Sequence, residues 1–370
     1  MKRRTFLATA LAATTSTPLI AALAGNRWGE AVKVLEQATA SGQVDAAVLH
    51  VVHQQEKFTQ PFGKAASGDA MFLLGSISKP INIAAVMRLY DQGKFQLDDR
   101  VQKFLPEFQG EGREEVTIGH LLTHVSGLPD QVAENTSLRK SQAPLETFVE
   151  HAQRTPLEFR PGSQYQYSSM GILLATRIGE VVSGTGIQEL VARNVFQPLG
   201  MNHSAQGRGD FTLAEVVPCQ MEGAAPESGS GDPEAEKWNW NSAYWRKLGA
   251  PWGGTHASAP DVGRFLREFI RADGKVVQPE TARLMTRNHN PEGFHPRGLA
   301  FDVGQTAGSP GCSPQTFGHS GSTGTLAWAD PASETICVVL TSLPRRAANP
   351  HPRQVAADLV AKRVVAGPRP

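Results

Sequence analysis

Apolar positions recur along this chain with two different spacings, and the switches between them mark out its elements. In GEAVKVLEQATASG, Ala31, Val34, Leu35 and Ala38 fall on one helical face, and Gly42 follows as a stop. AAVLHVVHQ is an unbroken apolar run that predicts a buried strand, and MFLLG predicts a second, shorter one. From Ser76 the helical spacing returns, with Ile83, Val86, Met87 and Tyr90 on one face and Gly93 as the stop. Pro80 falls in the first turn, where its missing N–H costs little, so this helix is expected to begin close to Ser76. The middle of the chain is helical by the same criterion: VTIGHLLTH, APLETFVEHAQ, SMGILLATRIGEVVSG and GIQELVARNVFQPLG are each closed by Gly or Pro or lie next to them. Strand-like runs come back in GLAFDV, FGHSG, GTLAWAD and ETICVVLTS, and a helix over about 352–365 ends the pattern.

A strand-and-helix start, a helical middle and a strand-rich end predict an α/β domain built from both ends of the chain, residues 25–95 and 255–370. The helical region, 96–254, is inserted into it, and a cleft is expected between the two parts. A loop-rich stretch lies near 205–250. Within it EGAAPESGSGD has a composition that resists packing, and it runs into an aromatic tract with Trp238, Trp240, Tyr244, Trp245 and Trp252. That tract either covers the cleft or packs its own rings against the helices.

With 370 residues, 40% hydrophobic and 19% charged, the chain can bury a substantial core. The formal charge is +1, and removal of residues 1–24, with Lys2, Arg3 and Arg4, would leave −2. No basic stripe remains to neutralise phosphates, so nucleic acid is not an expected partner. The N-terminus, MKRRTFLATALAATTSTPLIAALAG, has a basic start, a modest apolar stretch and small residues before Gly25, the pattern of a removable export signal. Arg3, Arg4, Phe6 and Leu7 resemble the twin-arginine signal, which implies a periplasmic or secreted protein with a mature start near Gly25; a Sec signal or an uncleaved anchor is the alternative. Thr14 to Thr17 and Pro18 interrupt the apolar run, and no later segment has the length of a membrane span. The three cysteines, Cys219, Cys312 and Cys337, lack metal spacing, and at least one is unpaired within the chain. Cys337, in TICVVL, is expected to be a buried apolar residue.

Candidate chemistry begins with GSISK. Ser76 and Lys79 stand three residues apart at a helix start, so they face the same space. A serine hydroxyl needs a base to become a nucleophile, and a lysine of lowered pKa can supply or support one. The unpaired N–H groups of a helix start can hold a developing oxyanion. Ser-x-x-Lys is common by chance, and an N-cap beside a solvated lysine is the plain alternative. Two further segments change the balance: Tyr167-Ser168-Ser169 in PGSQYQYSSMGILL, and His319-Ser320-Gly321 in FGHSGSTGTLAW. His120 and His124 in HLLTH have the i, i+4 spacing of zinc ligands but lack the glutamate and a third ligand, so no metal is expected.

These three motifs, in this order, resemble those of the serine hydrolases that include class C β-lactamases, D-Ala-D-Ala carboxypeptidases and related esterases. HLLTHVSGLPD, LDDRVQKFLPEF, FQPLGMNHS and WGGTHASAPDVGRFL extend the likeness over roughly residues 30–345. The resemblance implies a β-lactamase/transpeptidase-like α/β (α+β) fold, an antiparallel sheet flanked by helices with an inserted helical domain. It further implies an acyl-enzyme on Ser76, Lys79 as first partner, and Tyr167 as general base with a lowered phenol pKa. Backbone N–H groups of Ser76 and Ser322 would form the oxyanion hole, while His319, Ser320, Gly321 and Ser169 would meet substrate. His319 would support the tyrosine hydroxyl or meet a substrate carboxylate. No cofactor is implied, and the partner would be a small-molecule or peptidoglycan-like peptide or ester. Ser169 stands where the family has asparagine, and His319 is an alternative to lysine with no fixed charge. Both departures favour an ester or D-Ala-type peptide over a β-lactam. A weak β-lactamase and a non-catalytic binding relative are the alternatives, and Ser169 can equally be a helix cap.

Overall fold

Alternating side chains on three adjacent strands let one sheet serve two cores. The computed structural model describes residues 27–365, so the expected leader over residues 1–24 lies outside the described residues. The strands are β1 (Ala46–His53), β2 (Glu56–Gly63), β3 (Phe72–Leu73), β4 (Ser204–Gln206), β5 (Thr255–Ala257), β6 (Asp302–Val303), β7 (Phe317–Gly321), β8 (Thr325–Asp330) and β9 (Thr335–Thr341). They form a six-stranded antiparallel sheet in the order β2-β1-β9-β8-β7-β6 and a three-stranded one in the order β3-β5-β4. The six longest helices of the described residues are α1 (Gly29–Ala40), α2 (Ser78–Asp91), α3 (Leu145–Arg154), α4 (Ser169–Ser183), α5 (Ala259–Arg271) and α6 (Pro352–Val365).

Ala47, Leu49 and Val51 of β1, with Trp328 of β8 and Cys337 and Val339 of β9, join α1 and α6 in one apolar cluster. Their chain neighbours Ala46, Val48, Ala327, Ala329, Ile336 and Val338 belong to the larger cluster, which α2, α4 and α5 fill. Burial on both faces is why β1 and β9 read as unbroken apolar runs rather than alternating ones. The three cysteines are free and buried, and Cys337 is fully enclosed. In one segment the packing departs from composition. Within EGAAPESGSGD, Ala224, Ala225 and Ser228 are buried around a short 3-10 turn, Pro226–Ser228, because its Pro and Gly residues fold it back onto the helical region.

The junction of β3 and α2 carries the site, and several contacts pin it. The Leu74 N–H donates to Thr255 O at 2.9 Å, while the hydroxyls of Thr323 and Thr325 donate to the carbonyls of Leu73 and Leu74 at 2.7 and 2.6 Å. Gly321 allows this approach, since a Cβ on it would lie 2.2 Å from Leu74 O. A 3-10 turn, Gly75–Ile77, then leads into α2 at Ser78, with Pro80 in the first turn as expected. Beneath it the buried Asn82 donates to Ser78 O at 2.8 Å and to Gln206 Oε1 at 2.9 Å, tying α2 to β4.

Gly75 has φ +57°, and a Cβ there would sit 2.9 Å from Thr323 Oγ1 and 3.1 Å from Ser322 N. Gly75→Ala is therefore expected to cost about 1–3 kcal/mol from the left-handed backbone alone. It also pushes the Ser322 amide away from Ser76. Urea melts and ester hydrolysis check this together: a variant with wild-type stability and rate would mean the turn is not held as described.

Candidate active site

Ser76 is half-buried on the floor of a cavity of about 580 Å³, and its neighbours come from four separate parts of the chain. Lys79, one helical turn on, is fully buried and donates to Ser76 Oγ at 3.0 Å and to Trp252 O at 2.9 Å. Burial strips the ammonium of water and, with help from the Arg297 charge, lowers its pKa to about 7 against the attraction of Asp130 and Asp302. Tyr167 lies just before α4, its ring centroid 4.7 Å from Lys79 Nζ and 5.6 Å from Arg297 Cζ. Its phenol departs from the sequence-based expectation. Burial raises the pKa strongly, and the nearby Arg297 and a hydrogen bond with Ser76 offset only part of this. Tyr167 is thus held protonated, and Lys79 is the group poised near neutrality.

The third motif lies on β7 and the turn after it. Ser322 lines the cavity, and among the described residues its N–H has no acceptor in the protein. It lies close to Gly75, one residue before Ser76, which leaves two backbone donors at one place. His319 and Ser320 line the same cavity, whereas Gly321 is spent on the close approach to Leu74. Of the two roles expected of His319, support of the tyrosine hydroxyl or contact with a substrate carboxylate, the first has no hydrogen bond among the described residues. Its Nδ1 donates to Ser320 O at 2.8 Å and its Nε2 accepts from Arg297 Nη2 at 3.3 Å. Burial lowers its pKa to about 4, which keeps it neutral.

Ser168 is the N-cap of α4, accepting from the Gly171 N–H at 3.0 Å, so Ser169 is the first helical residue rather than the cap. The Ser169 hydroxyl is buried and donates to Asp130 Oδ1 at 2.6 Å, and its N–H bonds the same oxygen at 2.9 Å. Ser169 lines the cavity, but with its donor given to Asp130 the polar group facing outward is a carboxylate.

Motif reasoning missed four residues: Asp130, His124, Arg297 and Asp302. Arg297, almost fully buried, pairs with Asp302 and donates through Nη2 to His124 Nε2 at 2.9 Å. Burial would raise the Asp302 carboxyl, but Arg297, His319 and His295 together outweigh it and hold the group well below its usual range. His124 Nδ1 lies 3.2 Å from the Ser168 N–H, and since burial with the Arg297 charge keeps the ring neutral, it accepts from only one of these two donors at a time. Its ring centroid is 4.7 Å from that of Tyr167, which makes it a prop for the phenol. The sequence signal for His124 lies in HLLTH, within a stretch that resembles the family and whose histidines also have zinc-ligand spacing. Trp240, Trp245 and Trp252 are buried and also line the cavity, so the aromatic tract packs its rings and walls the cleft at once.

The family model described as Beta-lactamase matches residues 31–362. The chain belongs to the Beta-lactamase family. Among curated relatives, a protein of Salmonella enteritidis PT4 (strain P125109) named "Putative D-alanyl-D-alanine carboxypeptidase" is 26% identical over 72% of this chain and 68% of its own. A protein of Escherichia coli (strain K12) with the same name is 26% identical over 76% of this chain and 70% of its own. Two solved structures share the fold. One is EstCE1, titled a hydrolase with promiscuous acyltransferase activity, with TM-score 0.74 and 23% identity over 92% of this chain and 100% of its own. The other is D-amino acid amidase from Ochrobactrum anthropi SV3, with TM-score 0.70 and 20% identity over 92% of this chain and 99% of its own. The β-lactamase/transpeptidase-like fold expected from the motifs is the one observed, within a family of hydrolases.

Proposed function

We propose that this member of the Beta-lactamase family is an exported serine hydrolase that cleaves an ester or a D-Ala-type peptide or amide through an acyl-enzyme on Ser76. The observation that carries the proposal is the contact between Lys79 and Ser76: a desolvated amine with a pKa of about 7 within hydrogen-bond reach of a cavity-facing hydroxyl. As Ser76 Oγ attacks the substrate carbonyl, its proton passes to neutral Lys79 Nζ. The oxyanion is held by the N–H groups of Ser76 and Ser322. Tyr167, protonated and in contact with Ser76, hands its proton to the leaving alkoxide or amine and recovers one from Lys79. Water then takes the leaving group's place, and the same relay runs in reverse to release the acid. Export rests on the Arg3-Arg4 leader, and location in the periplasm or outside the cell follows from it.

Penicillin-like substrates fit less well. In place of an asparagine amide, which both donates and accepts, this cavity offers the Asp130 carboxylate, which only accepts. With a panel of p-nitrophenyl esters, D-amino acid amides and nitrocefin, kcat/KM on the best ester or amide is expected to exceed that on nitrocefin by roughly 100-fold, in line with a lost polar contact to a charged or buried partner. Nitrocefin as the best substrate would overturn this preference. Absence of turnover on the whole panel, together with no covalent adduct from a fluorophosphonate, would overturn the enzyme proposal itself.

A further inference from the structure

The catalytic relay leaves one charged group in the cavity unexplained. Arg139, on the short helix Asn135–Lys140, is buried to 97% because only 3% of its surface is exposed. Its Nε donates to Asn135 Oδ1 at 3.2 Å and its Nη1 to Glu227 O at 2.6 Å, both uncharged acceptors. Its Cζ lies 3.9 Å from the centroid of the Trp245 ring, which holds the guanidinium flat. Among the described residues Nη2 has no protein acceptor and no carboxylate forms an ion pair with Arg139. Yet Nη2 is not among the sealed-off polar atoms, which include Arg246 Nη1 and Arg297 Nε. Arg139 lines the cavity, so the small exposed part of this side chain opens into it.

Burial lowers the Arg139 pKa to about 10 against the attraction of Glu227 and Asp130, so the guanidinium keeps its charge at neutral pH, and with no carboxylate in ion-pair contact its burial is costly. By contrast Arg297 has Asp302, and Asp130 receives two hydrogen bonds from Ser169. Two more arginines, Arg345 and Arg346, are exposed at the rim of the same cavity. Asp130 lines the same cavity and lies close enough to Lys79 and to Arg139 to act on both charges. A guanidinium with a free edge, aimed into a cavity and stacked on an aromatic ring, is the arrangement that recognises carboxylates.

We infer that Arg139 is a specificity residue that binds a carboxylate carried by the acyl part of the substrate. The inference deepens the serine-hydrolase proposal and rests on it for the word substrate, though not for binding of the anion.

Two measurements test it. The first compares mono-p-nitrophenyl adipate with its methyl ester, which is close in length and lacks the charge. The wild-type protein should prefer the anion, and the ratio of the two kcat/KM values should fall roughly tenfold or more in Arg139→Met, chiefly through KM, the usual loss for a hydrogen bond to a charged group. Arg139→Lys should recover part of the ratio by restoring charge without the planar fork. No preference in the wild type, or a ratio unchanged in Arg139→Met, overturns the inference. The second measures quenching of tryptophan fluorescence by adipate dianion in Ser76→Ala, with and without Arg139→Met, since Trp245 underlies the site. Saturable quenching that needs Arg139 supports the inference even if no ester is turned over, in which case only the hydrolase proposal fails. Quenching that is absent, or indifferent to Arg139, overturns the inference even if esters are cleaved.

Discussion

Ser76→Ala is expected to abolish covalent labelling by a fluorophosphonate and to lower ester hydrolysis by about 10⁴-fold or more, the usual outcome when a nucleophile that works as part of a unit is removed. The side chain is half-buried and its hydroxyl is held by Lys79 and Tyr167, so the substitution removes two hydrogen bonds and little packing. Its cost to stability should therefore be about 1–3 kcal/mol. Intact mass after labelling reads the adduct, and a urea melt shows that the variant is folded. Equal labelling of variant and wild type would place the nucleophile elsewhere.

Lys79→Met should lower kcat/KM by roughly 10³-fold, the usual share of a positioned base. In the wild-type protein kcat/KM should rise with pH through about 7, as the buried ammonium loses its proton and becomes able to accept one from Ser76. The same group links pH to stability. Its folded pKa lies below the unfolded value, so between about 7 and 10.5 the unfolded chain binds more protons, and the Lys79 contribution to stability grows as pH rises through that window. Below it, the folded protein carries a buried ammonium at a cost. Lys79→Met removes that cost, so it should be at least as stable as wild type at pH 6, with the difference shifting towards wild type by pH 10. Stability curves for the two proteins that stay parallel across this range would show that Lys79 is charged throughout, and would remove it as the base.

What the sequence made legible was whatever is local or repeated. The order of strands and helices followed from apolar spacing, because β1 and β9 are buried throughout, most of α2 and α4 is buried, and the pattern has few interruptions. Ser76 and Lys79 could be read from a separation of one helical turn, and Tyr167 and the His319 strand from their resemblance to known motifs. The remaining members of the site could not be found this way. Arg297 and Asp302 sit in HPRGLAFD, where nothing distinguishes them from surface charges, and they matter only because the cavity closes over them. The protonation of Tyr167 departs from what its motif implies for a related reason. A neighbouring cation is visible in a motif, but the desolvation that outweighs it depends on His124, Arg297 and the helices around the ring. The Ser169 substitution was visible, and its meaning was not, since the Asp130 that takes its hydroxyl lies far away in sequence.

The pairing of β1 with β9 sets Val48 against Leu340, so the first strand made by the ribosome waits for nearly the last one. At usual elongation speeds that interval is on the order of tens of seconds. During it, β1 has an unsatisfied edge that invites wrong partners, and the helical residues emerge before the sheet that supports them can close. Gly75 and Ser322 come together only once β7 and the turn after it have been made, so a product that ends before them lacks that side of the cavity. Until its distant partner is synthesised, the nascent strand β1 is the part of the chain most exposed to misassembly.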